Sequence, residues 1–122
     1  IVWEKADLLA KEIYVRTRSF PKEELYGLTS QLRRAGLSIP VNIVEGYARK
    51  SRKELQQFLN ISLGSLAETE YLLKFAFDLK FFNQADYESL EKIRQEVGNL
   101  LWRFIQSLNP TGTLGHRGSG EP

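Results

Sequence analysis

Apolar residues recur every three to four positions along most of this chain and nowhere alternate over any length, so helices are expected and strands are not. The first helix is predicted over about Val2 to Thr17, with Val2, Ala6, Leu9 and Ile13 on one face. It should stop near Ser19, because Phe20 precedes Pro21 and pre-proline residues avoid helical backbone. The second is predicted to start between Pro21 and Glu24, where a proline and two glutamates suit a helix N-terminus. Its core stripe reads Leu25, Leu28, Leu32, Gly36, Ile39, Ile43 and Gly46. That stripe keeps its phase across Pro40, whose ring would press on the carbonyl of Gly36, so one kinked helix is expected. The alternative is a break, with Ser38 capping a new helix.

Ser51 to Glu54 spells a capping box ahead of an apolar run, which predicts a third helix to about Leu79. Asn83 can cap a fourth, running to about Leu108, with Leu90, Ile93, Val97, Leu100, Phe104 and Leu108 buried. Links this short favour antiparallel neighbours, so the expected fold is all-α: an antiparallel up-down four-helix bundle over residues 1–109. Residues 110–122 hold four glycines and no periodicity, and a flexible tail is expected there.

A bundle helix needs one apolar stripe, and two of these helices carry more. In the second, Leu37, Val41, Val44 and Ala48 lie roughly 150° from the core stripe. In the third, Leu55, Phe58, Leu59, Leu66, Leu73 and Phe77 make one face, and Ile61, Leu72, Phe75 and Leu79 make another about 130° away. Gly64, Ser65 and Ala67 add small residues that permit close approach. Leu37, Val41, Val44, Ala48, Ile61, Leu72 and Phe75 are therefore candidates for an interface between copies of the chain.

Charge sharpens the picture. Arg33 to Lys53 contains six basic residues and one acidic residue, a local +5 in a chain of net +2. Arg49, Lys50, Arg52 and Lys53 crowd the turn between the second and third helices, where they can neutralise phosphates. The start of the third helix adds backbone N–H groups, and Tyr47 could stack on an unpaired base. Arg33 and Arg34 form a secondary basic pair. Glu45, Glu68 and Glu70 are the carboxylates nearest the apolar faces and are expected to pair with arginines rather than act as an acid–base couple. For Glu45, Arg33 or Arg34 of a neighbouring subunit is the candidate.

Catalytic chemistry is sparse. Cysteine is absent and the one histidine, His116, sits in the glycine-rich tail, so no thiol, metal or triad site can be assembled. No phosphate-binding loop motif is present, and no cofactor, metal or enzymatic activity is expected. No apolar run approaches a bilayer span and no signal-peptide pattern opens the chain, so no membrane partner and a cytoplasmic location are expected.

LYGLTSQLRRAGLSIPVNIVEGYARKSRKELQQFLNISLGSLAETEYLL resembles the signature of the 23S rRNA intervening-sequence proteins, and IVWEKADLLAKEIY resembles the first helix of that family. The similarity covers about Ile1 to Leu108. It implies an antiparallel four-helix bundle assembled into a homopentameric ring. It also implies distant similarity to the accessory proteins of diversity-generating retroelements, basic pentameric barrels that bind a reverse transcriptase and nucleic acid. This chain is only mildly basic, a departure from those relatives. The leading expectation is a homo-oligomeric, non-enzymatic bundle that binds structured RNA or DNA through a basic rim. The alternative is a protein–protein adaptor that recruits a partner such as a polymerase.

Overall fold

A computed structural model describes residues 1–109. They form four helices, α1 Val2–Arg16, α2 Leu28–Tyr47, α3 Arg52–Asp78 and α4 Gln84–Ser107, with 3₁₀ turns at Thr17–Ser19 and Lys22–Glu24. The tail expected to be flexible, and His116 within it, lie outside the described residues.

Every neighbouring pair of helices runs antiparallel, as the paired residues show. Tyr14 meets Arg33 and Ile13 meets Gly36 between α1 and α2. Ile39 bonds Ser62, and Gly46 meets Leu55, between α2 and α3. Leu66 meets Gly98, and Phe77 stacks on Tyr87, between α3 and α4. Lys5 pairs with Glu96 and Arg16 with Asp86, closing α4 onto α1. The core between them holds Leu9, Ile13, Leu32, Ile39, Ile43, Leu59, Leu73, Leu90, Val97 and Leu101, all without solvent exposure. Ser62 and Thr69 share it because each hydroxyl donates to a carbonyl, Ile39 O at 2.9 Å and Ser65 O at 2.8 Å.

The helix ends follow local chemistry. The Thr17 hydroxyl donates to Ile13 O at 2.7 Å, and Phe20 is extended at φ −65°, ψ 155°, as a residue before proline must be. The ring of Phe20 then packs on Phe81 and Phe82 and closes that end of the core. Ser51 Oγ accepts from Glu54 N at 3.0 Å, and Asn83 Oδ1 accepts from Asp86 N at 2.7 Å, so both expected caps form.

Three expectations need correction. Helix α2 begins at Leu28, not at Pro21 to Glu24, because Gly27 at φ −116°, ψ −109° takes the backbone out of helical phase. Glu24 Oε1 accepts from Leu28 N at 3.1 Å and satisfies one of the open amides there. Leu25 precedes the break, leaves the core stripe and is 47% exposed. Leu72 belongs to the core at 7% exposure, not to an outer face. It lies about 100° from Leu73, close enough to the buried flank to be covered. In α4 the buried centre follows Leu90, Val97, Leu101 and Ile105, with Ile93, Leu100, Phe104 and Leu108 packed half-buried beside it. From Val97, steps of three and four residues both stay near one face, and burial favours the steps of four. Through Pro40, by contrast, α2 is one continuous helix.

The α3–α4 link contains a strained residue. Lys80 has φ 68°, Lys80 N donates to Phe77 O, and Phe81 N donates to Ala76 O. This is a Schellman ending with lysine where glycine is the usual residue. Left-handed backbone costs a residue with a Cβ about 1–2 kcal/mol, part of which glycine loses again through its freer unfolded chain. Lys80→Gly is therefore expected to stabilise the protein by roughly 0.5–1 kcal/mol. Urea unfolding followed by circular dichroism measures it, and Lys80→Val is expected to move the midpoint the other way.

Candidate nucleic-acid interface

The turn after α2 is tight because its first helix supplies no side chain at the crossing. A Cβ on Gly46 would lie 2.9 Å from Leu55 Cδ1 and 3.2 Å from Phe58 Cβ. With hydrogen there instead, the end of α2 and the start of α3 touch, and only Ala48 to Ser51 separates them. Arg49 N donates to Gly46 O at 3.0 Å, and Ser51 turns extended before capping α3.

Arg49 is held by the protein itself. Its Nη2 donates to Glu45 Oε1 at 3.0 Å, and its guanidinium lies 4.6 Å from the centre of the Phe58 ring. Within the chain, Glu45 thus pairs with Arg49 four residues on, in the turn after α2. Lys50, Arg52 and Lys53 are exposed and make no ion pair among the described residues. Tyr47 is half exposed, with its ring tilted toward Phe104 at 6.1 Å. The turn therefore brings together three available cations, one committed arginine and one half-open aromatic face.

Arg33 and Arg34 do not join them. They sit about 20 Å away along α2, at the other end of the bundle. Arg33 Nε donates to Thr17 Oγ1 at 2.9 Å, Nη2 donates to Tyr14 O at 3.2 Å, and the guanidinium stacks 4.7 Å from the Tyr14 ring centre.

Of the interface candidates, Leu37, Val41 and Val44 are exposed on α2 and Ala48 just past its end, and Ile61 and Phe75 are exposed on α3. The α2 stripe is not alone. Trp3 and Asp7 of α1 join Leu37, Pro40, Val41 and Val44 around a shallow cleft of about 260 Å³. Trp3, next to buried Val2 but off its face, is exposed and adds to this surface. On α3, Tyr71 and Leu79 extend the line of Ile61 and Phe75. A polar seam separates the two surfaces: Ser38 Oγ meets Ser65 Oγ at 2.7 Å, and Asn42 Nδ2 donates to Ser38 O at 2.8 Å. Among the described residues no cluster of three metal-ligating side chains occurs, and no helix is long and apolar enough to cross a membrane.

The model of the family described as 23S rRNA-intervening sequence protein matches residues 1–103. This chain belongs to that family. Among solved structures, it is similar to a protein of unknown function from the S23 ribosomal protein family of Bacteroides thetaiotaomicron. The two share 29% identity and a TM-score of 0.80, over 86% of this chain and 95% of that one. No curated protein matches. The four-helix architecture is consistent with that membership, and Pro40 lies inside the matched span.

The close crossing at Gly46 makes a direct test of what shapes the turn. Gly46→Val is expected to destabilise the protein by about 1–3 kcal/mol, since Leu55 and the Phe58 Cβ must move. Gly64, which has nothing within 4 Å of its would-be Cβ, is the control. Gly64→Ala is expected to be neutral or to stabilise by about 0.4–1 kcal/mol. Chemical denaturation of both variants separates the two cases.

Proposed function

We propose that this protein is a self-assembling, non-enzymatic helical bundle that binds structured RNA through its basic turns. The observation that carries this reading is the turn itself: Lys50, Arg52 and Lys53 stand exposed within four positions and make no ion pair among the described residues. Each phosphate met by such a side chain releases condensed counterions, the main source of nucleic-acid affinity. The family's description, which speaks of a 23S rRNA-intervening sequence, supports RNA as the polyanion.

Assembly multiplies the effect. The α1–α2 cleft and the α3 line are two different surfaces of one protomer, on either side of the Ser38–Ser65 seam. A contact joining one to the other is heterologous, and a heterologous contact that closes gives a ring. Five subunits is the number the family resemblance implies. A ring would gather one basic turn from every subunit on a single rim, where their fields add.

Two outcomes are expected. The protein is oligomeric by light scattering at micromolar concentration, and Val41→Lys with Val44→Lys gives smaller species, because charges enter a buried contact. A monomeric parent would contradict the assembly. In fluorescence anisotropy with a structured RNA across a salt series, changing Lys50, Arg52 and Lys53 to Gln lowers affinity. It also flattens the log–log slope by roughly two to three units, at about 0.7–0.9 per phosphate contact. Unchanged affinity and slope would leave the adaptor reading, in which a protein partner covers the apolar surfaces.

A further inference from the structure

At the end of the bundle opposite the basic turn, we propose a second site: a cleft around Arg33 that binds a nucleotide, its phosphate on arginine and lysine and its base on the aromatic and aliphatic wall. The connector between α1 and α2 folds back over the start of α2 and leaves two adjoining clefts, of about 400 and 280 Å³. They share Leu25, Thr29 and Arg33, and together they span the size of one small organic ligand.

Charge says what class of ligand fits. Arg18 and Lys22 line the larger cleft, Arg34 lines the smaller, and Arg33 lines both. No carboxylate lines either cleft, and none of these four cations makes an ion pair among the described residues. Glu23 and Glu24 lie in the same connector, but Glu24 turns to Leu28 N. Arg33 is the decisive group. It is half-buried, yet all its partners are neutral: the Thr17 hydroxyl, the Tyr14 carbonyl and the Tyr14 ring. Its Nη1 has no hydrogen-bond partner among the described residues, and its plane is already fixed. A fixed, incompletely neutralised guanidinium is a ready donor to a phosphate, because little ordering cost remains to be met on binding.

Two further groups are left unmatched among the described residues. Thr29 lines both clefts, is 3% exposed, and its hydroxyl has no hydrogen-bond partner among the described residues. Tyr26 is 93% exposed beside Arg34 in the smaller cleft, so its ring packs on almost nothing. An unpartnered hydroxyl, an open tyrosine and the exposed apolar surface of Leu25 suit the sugar and base of a nucleotide better than a bare anion. The inference goes beyond the RNA-binding turn and stands without it, since no residue is shared.

The test is titration calorimetry of the full chain with adenosine and uridine monophosphates, the matching nucleosides, and inorganic phosphate, read alongside amide chemical shifts. Monophosphates are expected to bind at least tenfold more tightly than nucleoside or phosphate alone, with shifts confined to residues 14–34. Tyr26→Ala and Arg34→Gln alter exposed side chains and leave the fold intact; each is expected to weaken binding about fivefold or more. Arg33→Gln is expected to abolish it, and Lys50, Arg52 and Lys53 changed to Gln are expected to leave it unchanged. A 5′-phosphorylated trinucleotide that binds like the monophosphate identifies a strand end as the ligand, and one that is excluded identifies a free nucleotide. Equal binding of phosphate and monophosphate, shifts only at the basic turn, or indifference to Tyr26→Ala and Arg34→Gln would overturn the proposal.

Discussion

Helix α2 touches both its neighbours closely because two of its inward positions carry no side chain. At Gly36 a Cβ would fall 2.7 Å from Ile13 Cδ1, and at Gly46 it would fall 2.9 Å from Leu55 Cδ1. These contacts fix the distance from α2 to α1 and to α3 at its two halves. Much else follows. The turn after α2 is short because the crossing at Gly46 is close, and a short turn packs its cations into a few positions. The approach at Gly36 draws the end of α1 against α2, which lets Arg33 reach both Thr17 and Tyr14. Dispersion and burial supply the attraction, and the absent side chains decide where it acts.

That geometry was partly legible in the sequence. The helices, the Ser51 and Asn83 caps and the run through Pro40 could be read because each rests on local rules of periodicity, capping and proline sterics. Gly36 and Gly46 could be placed on the inner stripe, but which neighbour each would touch is a tertiary fact. The failures share a cause. Leu25 had the right spacing for the core, but one glycine at Gly27 reset the phase. Leu72 sits on a helix flank, where a difference of a few tens of degrees decides between core and surface. The α4 stripe drifted for the same reason. At the site, the basic turn was plain from composition, but the commitment of Arg49 to Glu45 and Phe58, and the remoteness of Arg33, needed coordinates.

Ion pairing sorts the charges by position. Acidic residues along the bundle's flanks meet cations there: Glu96 with Lys5, Asp7 with Lys11, Glu12 and Asp86 with Arg16, and Glu70 and Glu91 with Arg94. Hydrogen bonds to Glu91 hold the Arg94 guanidinium above its ordinary pKa, with the charges of Glu91 and Glu70 adding to them. Exposed pairs of this kind contribute only about 0–1 kcal/mol each to stability. Their larger effect is on the field outside the protein. Among the described residues, the pairs leave Lys50, Arg52 and Lys53 without an ion pair at one end of the bundle and Arg18, Lys22, Arg33 and Arg34 without one at the other.

The exposed apolar surfaces run in the other direction, along the helices. Leu37, Val41 and Val44 follow the length of α2 beside Trp3, and Ile61, Phe75 and Leu79 follow the length of α3. Contacts through such surfaces set bundles side by side, since end-to-end stacking would cover neither. Side-by-side packing leaves the helix ends open to solvent. An assembly built on these surfaces therefore displays its unmatched charge on two opposite rims, with the turns of residues 48–51 on one and the clefts around Arg33 on the other. The apolar stripes and the charge pattern do not compete for surface, so one small bundle can use the first to assemble and keep the second free for ligands.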